Sequence, residues 1–419
     1  MDKENTIPLN LEYFIARRLV SSKQHKSSIS APIIKIAIIA IAIGVMMMII
    51  AVATGVGLQD KIREKISAFN GHIIITNFDN NESQVSVAPL SAKQNFYPTF
   101  KNIEGINHVQ AVASKAGIIR TEKAFEGIIF KGVGKDYKWD AMQEYLVSGR
   151  IPSLKANLNE EVLLSKTLAN KLQLNLGDKF NTYFMKEGGN GMPNLRRFEL
   201  VGIYESGFGE FDATYMIGDI RHVQRINKWR NGEVGAFEVF IDDFTKISEK
   251  GEEVYKAIPS TLNAETIQEK YINIFEWLRL FDVNIMVIII IMVVVATINM
   301  VVAILVLILE RTQMVGMLKA LGANNWSVRK IFLYNSAYLI IKGLLWGNGI
   351  AFALLLAQKY FGIITLDPQN YYVSVAPVSL HLPAILIINV GTIAVCTALL
   401  LIPSYIITKI SPVKALRFD

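Results

Sequence analysis

The sequence predicts an α-helical membrane protein with four transmembrane helices and a large α+β outward domain between the first and second. Four apolar runs, at 36–55, 285–309, 331–356 and 382–407, each reach the roughly 20 residues needed to cross about 30 Å of hydrocarbon. Over two hundred residues of ordinary globular composition separate the first run from the second, enough for one large domain or two small ones. The whole chain is 52% hydrophobic with mean hydropathy +0.33 and a formal net charge of +7, as expected of a membrane protein that also carries a sizeable water-exposed part.

Orientation follows from the short segments, because long domains translocate largely regardless of their charge. Lys3, Arg17, Arg18, Lys23, Lys26 and Lys35 precede the first run, and Lys409, Lys414 and Arg417 follow the last. Arg311, Lys319, Arg329 and Lys330 make the segment between the second and third runs basic. The positive-inside rule therefore puts both termini and this segment in the cytoplasm, and the large domain and the 358–381 loop outside. The expected division is a cytoplasmic N-terminus at 1–30, a first transmembrane helix at 31–57 and the outward domain at 58–280. Three further transmembrane helices follow at 281–419.

Taken in order, Leu11, Phe14, Ile15 and Leu19 share a helical face beside Arg17-Arg18. That suits an interfacial helix on the inner leaflet, or equally one packed on the membrane bundle. Ala51-Val52-Ala53 mimics a signal-peptidase site. The apolar run is longer than a usual signal core, however, and its basic leader is long, so an uncleaved anchor is expected. Residues 55–68 leave the membrane as continuing helix. The outward domain mixes strands, at 72–76, 109–119, 127–133, 179–185, 198–204 and 238–241, with helices at 163–172, 220–226 and 245–257. Between two of those strands, 186–197 reads KEGGNGMPNLRR. Its glycines and Pro193 forbid regular structure, and such a tip is ordinarily just flexible. Met192 and Leu195 also offer apolar contact, and Arg196 and Arg197 offer charge, which is what docking a protein requires.

No catalytic chemistry is legible. His25, His72, His108, His222 and His381 are dispersed, with no pair at metal-ligand spacing. The one cysteine, Cys396, lies in the fourth apolar run and reads as a small packed hydrophobe, so the outward domain relies on its own core. Asp242-Asp243 and Glu252-Glu253 read as solvated surface. Gly132-Val133-Gly134-Lys135 fails as a phosphate loop, which would need glycine at Ile129 and Ser or Thr at Asp136. The chain reads as a non-enzyme that binds no cofactor, and any ATP that drives it is hydrolysed by another subunit. In the third run, Gly343, Gly347 and Gly349 form a small-residue face for close helix packing, and Lys342 lies near mid-membrane without an evident acidic partner.

The most patterned stretch is 310–332, ERTQMVGMLKALGANNWSVRKIF. Met314, Met317, Leu318 and Leu321 recur at i, i+3, i+4 and i+7, one face of a helix. Gly322 is a C-cap candidate, and Asn325 can cap a second helix starting at Trp326. A short amphipathic helix tethered between two spans suits receiving force from a cytoplasmic partner. Met46-Met47-Met48 in the first run, with 287–291 of the second, either line an apolar, deformable cavity or face lipid and pack together.

These residues carry a resemblance. Segment 310–332, with Ile402-Pro403-Ser404 and the terminal Ile410-Ser411-Pro412-Val413-Lys414-Ala415-Leu416-Arg417, closely resembles the FtsX-like, MacB-type ABC transporter permeases. Their pattern of ER…GxLKALGA and a closing PVxALR is matched nearly throughout. Phe14-Ile15-Ala16-Arg17-Arg18-Leu19, IAIGV at 41–45, the stretch 55–71 and FELVGIYESGFGEFDATYM at 198–216 are similar to the LolC/LolE lipoprotein-releasing permeases.

The resemblance implies a machine of two permease chains, either a homodimer or a LolC/LolE-type heterodimer, and two LolD-like ATPases that hold the ATP and magnesium. The ATPases would push on a coupling helix at 310–322, through Glu310, Arg311, Met314, Gly316, Met317, Lys319, Leu321 and Gly322. The cargo would be a lipoprotein, taken from the bacterial inner membrane through a cavity at Met46, Met47 and Met48. It would be handed to a LolA-like periplasmic carrier docked on Met192, Pro193, Leu195, Arg196 and Arg197. That loop departs from the branch pattern in being glycine-rich. The alternatives are a MacB-like efflux or mechanotransmission permease and an FtsX-type regulator of a cell-wall hydrolase.

Overall fold

In the computed structural model, residues 11–21, 30–80, 83–154, 158–185 and 192–409 are described. They form two compact units, one from the described parts of Met1–Leu58, Leu278–Ile364 and Ala376–Asp419, the other from those of Gln59–Trp277 and Thr365–Val375. The helices are α1 Leu11–Ser21, α2 Ser30–Asn70, α3 Asp140–Gln143, α4 Lys166–Leu172, α5 Gly209–Thr214, α6 Ile220–Ile226 and α7 Ile247–Ala257, then α8 Ile267–Lys270, α9 Ile272–Glu310, α10 Thr312–Ala320, α11 Asn325–Phe361, α12 Pro368–Tyr371, α13 Leu382–Ser404 and α14 Ile406–Lys409. The strands are β1 Ile73–Asn77, β2 Leu90–Ser91, β3 Ile106–Arg120, β4 Phe125–Val133, β5 Leu146–Gly149 and β6 Glu161–Ser165, then β7 Lys179–Phe184, β8 Asn194–Tyr204, β9 Tyr215–Asp219, β10 Glu233–Val234, β11 Ala236–Ile241 and β12 Leu262–Thr266.

The first unit is a helical bundle. Among the described residues, four helices, over Pro32–Asn70, Ile272–Glu310, Asn325–Phe361 and Leu382–Lys409, are long and apolar enough to cross a membrane. Ile41, Val45, Met48 and Ile49 recur on one face of α2 and meet Met300 and Ile304 of α9, Phe332, Leu339 and Leu344 of α11, and Cys396 and Leu400 of α13 in one buried core. Glycine lets α11 close on α2: a Cβ at Gly343 would lie 2.6 Å from Ile41 Cγ2, and one at Gly347 2.7 Å from the Ala42 oxygen. Gly349 does not belong to this face, since a Cβ there meets nothing within 4 Å. Asn348 of α11 and Asn389 of α13 exchange side-chain hydrogen bonds of 2.7 and 3.1 Å, which satisfies both amides in apolar surroundings. Lys342 is exposed, with Nζ 4.5 Å from the Tyr338 ring centroid. Helix α1 packs on α11, with Ala16 buried and Tyr13 edge-on to Tyr334 at 6.0 Å.

The second unit is α+β. Its main sheet runs β12-β1-β11-β3-β4-β9-β6-β8-β5, and β7 pairs with both β3 and β8. The pairings β3-β4-β9-β6-β8-β7-β3 therefore close into a ring. Phe130, Phe184 and Phe198 are fully buried in its neighbourhood, with ring centroids 5.3 to 6.4 Å apart. Gly218 is required beside them, because a Cβ there would come within 2.8 Å of the Phe130 ring. The strand readings hold with small shifts of their ends, but the 163–172 helix does not. Leu163–Ser165 belongs to β6, and the helix starts at Lys166, where Ser165 caps it by accepting from Leu168 N at 3.0 Å. Buried between strands on both sides, β6 is apolar on both faces and shows no alternation to betray it.

Candidate functional site

The segment that joins α9 to α11 is the first candidate. Helix α10 ends at Ala320 with Leu321 as its C-cap, and Gly322 takes φ +97°, the left-handed turn that lets Ala323 N reach the Leu318 oxygen at 2.9 Å. Asn324, not Asn325, caps α11 by accepting from Ser327 N at 2.7 Å, so that helix begins one residue earlier than expected. Two adjacent asparagines leave the sequence ambiguous by one position.

The four apolar residues of α10 do not share a fate. Val315 and Gly316 are buried, and Met314 and Leu318 pack against the bundle core. Met317 is 51% exposed and Leu321 85%, with Trp326 beyond them at 50%. One side of α10 thus holds the helix to its own bundle, and the other presents Met317, Leu321 and Trp326. The basic residues are also divided. Lys319 Nζ donates to the Ile407 oxygen at 2.6 Å, and Arg329 donates to Ser404 Oγ at 3.1 Å and to the Leu401 oxygen at 3.0 Å. These cations hold the ends of α13 and α14, where main-chain carbonyls run out of helical partners. Of the residues expected to couple, Met314, Gly316 and Lys319 are therefore committed to internal contacts. Glu310, Met317, Leu321 and Gly322 are exposed and Arg311 is partly so.

The second candidate is the start of β8. Residues 186–191 of the glycine-rich stretch lie outside the described residues. Met192 is 86% exposed and Leu195 49%, with Pro193 and Arg197 also exposed and Arg196 partly covered. Register adds residues that the sequence did not suggest. Ile118, Tyr183 and Leu195 form one cross-strand row, and Arg120, Asn181 and Arg197 the next, with Phe125 opposite Arg120. Side chains in register point to one face, so Phe125, Ile118 and Leu195 extend the apolar patch and Arg120 joins Arg197 beside it. Only pairing over long sequence distance brings β3 and β4 to this tip.

The methionine run in α2 does not form one cavity. Successive helical residues point about 100° apart, so three in a row cannot line one wall. Met48 is fully buried in the core and Met47 is 41% exposed. Met46 alone lines an apolar groove of about 350 Å³ with Ile38, Ile39, Ala42 and Ile43 of α2 and Trp346 and Ile350 of α11, and Lys35 lies at its edge. Among the described residues no cluster of His, Cys, Asp and Glu is grouped to hold a metal ion.

Residues 36–249 match the MacB-like periplasmic core domain and residues 286–412 the FtsX-like permease C-terminal domain. The chain belongs to the FtsX-like, MacB-type family of ABC transporter permeases. It is 22% identical to the lipoprotein-releasing system transmembrane protein LolC of Neisseria meningitidis, over 98% of this chain and 100% of that one. It is 21% identical to the corresponding LolE of Haemophilus influenzae, over 97% and 99%. Among solved structures it is similar to the periplasmic region of MacB from Actinobacillus actinomycetemcomitans, at 16% identity over 47% of this chain and 88% of that one, with a TM-score of 0.32.

Proposed function

We propose that this chain is the membrane subunit of a lipoprotein-releasing ABC transporter of the bacterial inner membrane. It extracts lipoproteins from that membrane and passes them to a periplasmic carrier, with ATP and magnesium bound on a separate ATPase. The carrying observation is the match to LolC and LolE relatives along nearly the whole of both chains.

In this reading the α10 segment lies in the cytoplasm, as the basic residues around it favour. A LolD-like ATPase receives Met317, Leu321 and Trp326, whose exposure on a basic segment supports such a contact. Met314, Leu318 and Val315 then carry the push into the bundle, because they already pack on its core. Glu310, Arg311 and Gly322 flank the contact. The second unit faces the periplasm, where a LolA-like carrier docks at the tip formed by Met192, Pro193, Leu195, Arg196 and Arg197. The acyl chains enter near Met46. A second permease chain, identical or of the other Lol type, completes the transporter.

Depletion tests the reading. Outer-membrane lipoproteins should accumulate in the inner-membrane fraction as the chain is lost. Unchanged sorting would favour the second reading, a MacB-like efflux or mechanotransmission permease, which the core-domain match also supports.

A further inference from the structure

In the second unit, strands β12, β1, β11 and β3 place Glu265, Ile74, Glu238 and Gln110 in one register row, with side chains on one face of the sheet. Glu238 is already committed: Lys131 Nζ donates to its Oε1, and Gln110 Nε2 donates to its Oε2 at 2.7 Å. Lys131 also donates to the main-chain oxygen of Phe69, so this buried ion pair is compensated.

A cleft of about 680 Å³ includes Ile74 and Glu265 of this row in its lining, within the range of about 300–1,000 Å³ usual for ligand pockets. Phe208, Tyr215, Tyr271 and Tyr372 supply aromatic walls, and Gln84, Asn263 and Asn273 supply amides. A smaller recess of about 50 Å³ shares Ile74, Tyr215 and Lys270 with the cleft and includes Lys131 and Glu238 in its own lining. Lys270 therefore stands where the two meet.

Among the described residues Lys270 has no hydrogen-bond or ion-pair partner, and its Nζ lies 6.0 Å from the Tyr271 ring centroid. Burial, helped by the nearby charge of Lys131, pushes its pKa below the ordinary lysine value, while Glu265, Glu238 and Glu210 act from a distance to hold it charged. An ammonium partly withdrawn from water without a contact partner is costly, and a ligand anion seated on it would recover that cost. A lone small anion is a poor occupant, since Glu210, Glu265 and Glu269 line the cleft and repel it. A chain that carries one carboxylate among many amides meets both conditions. Its N–H groups can donate to the glutamates of the lining, its backbone can pair with the side-chain amides, and its apolar side chains can lie on the rings.

We propose that this cleft binds an extended peptide, through an acidic side chain or C-terminal carboxylate seated on Lys270. The site lies wholly within the second unit, so it stands or falls separately from the transport reading.

The test uses the full-length chain in lipid nanodiscs and fluorescence anisotropy with two labelled synthetic heptapeptides, Ala-Phe-Ser-Phe-Asp-Ser-Gly amide and the same peptide with Asn for Asp. The aspartate peptide should bind about tenfold more tightly, the ratio expected for one charge-assisted contact. Lys270→Gln should erase the preference and Lys270→Arg should keep it, with melting temperatures recorded for both. If the Gln variant does not fold, loss of the preference in native protein at high salt against retention at low salt supplies the same discrimination. Three results would overturn the assignment: equal binding of both peptides to native protein, an unchanged preference in folded Lys270→Gln, or displacement of the peptide by succinate at equal concentration.

Discussion

Lys65 Nζ donates a 2.9 Å hydrogen bond to the main-chain oxygen of Tyr372, joining residues 307 apart in the chain. Gly207 makes room for it, since a Cβ there would lie 3.0 Å from Nζ. Tyr372 itself takes φ +60°, a conformation that favours glycine. Its side chain supplies the reason a tyrosine tolerates this: the ring stacks on Phe208 at 4.7 Å and stands edge-on to Trp277 at 5.7 Å. The segment Thr365–Val375, which lies in sequence between α11 and α13, is thereby part of the sheet unit.

Removing that ring should loosen the unit. Tyr372→Ala loses two aromatic pairs, each worth about 0.5–1.5 kcal/mol beyond area, and should lower the melting temperature of purified protein by several degrees. Tyr372→Phe keeps the ring contacts and should melt with the native chain. Equal melting of all three would show that the segment is held by the main chain alone.

In the bundle, the glycines of α11 should respond unequally. Gly343→Ala puts a methyl 2.7 Å from Ile41 Cβ and should cost about 1–3 kcal/mol as an overpacked contact. Gly349→Ala meets nothing and replaces glycine inside a helix, so it should be neutral or stabilising by up to about 1 kcal/mol. Thermal melts of the two variants in detergent compare them directly.

On α10, two aspartate substitutions six residues apart should fail in different ways. Leu321 is 85% exposed, so Leu321→Asp should insert and fold normally yet lose co-purification with the ATPase. Val315 is fully buried, and Val315→Asp buries an unpaired carboxylate at a cost of several kcal/mol, so its yield of folded protein should collapse. Normal co-purification and ATP turnover with Leu321→Asp would place the contact elsewhere.

At the β8 tip, Met192→Asp should abolish carrier binding and leave ATPase association intact. Reversing the charge of Arg197 should mainly slow association, with the defect shrinking at high salt as steering is screened. A merely flexible tip predicts that both changes are silent in surface-plasmon measurements with the carrier.

Much of this architecture was legible because it is local. The apolar runs, the glycine after Leu321 and the strand at 127–133 each announce themselves within a few residues. What escaped depends on partners far away in the chain. The Lys131–Glu238 pair spans 107 residues and the Ile118–Tyr183–Leu195 row joins three strands, and neither leaves a mark on its neighbours in sequence. Periodicity also overreached on α10. It found four apolar residues on one broad arc but not that the bundle covers only Met314 and Leu318, leaving Met317 and Leu321 outside. The three methionines of α2 are a cluster in sequence that the helix disperses, and the buried Met48 takes the packed alternative that the sequence also offered.

The most direct test of the central claim is reconstitution. The chain is placed in proteoliposomes with its ATPase and a triacylated lipoprotein, soluble carrier and Mg-ATP are added, and lipoprotein in the soluble fraction is measured. Release should require ATP and carrier together, and should fall to background with Leu321→Asp. ATP turnover with every lipoprotein retained in the vesicles would contradict the account.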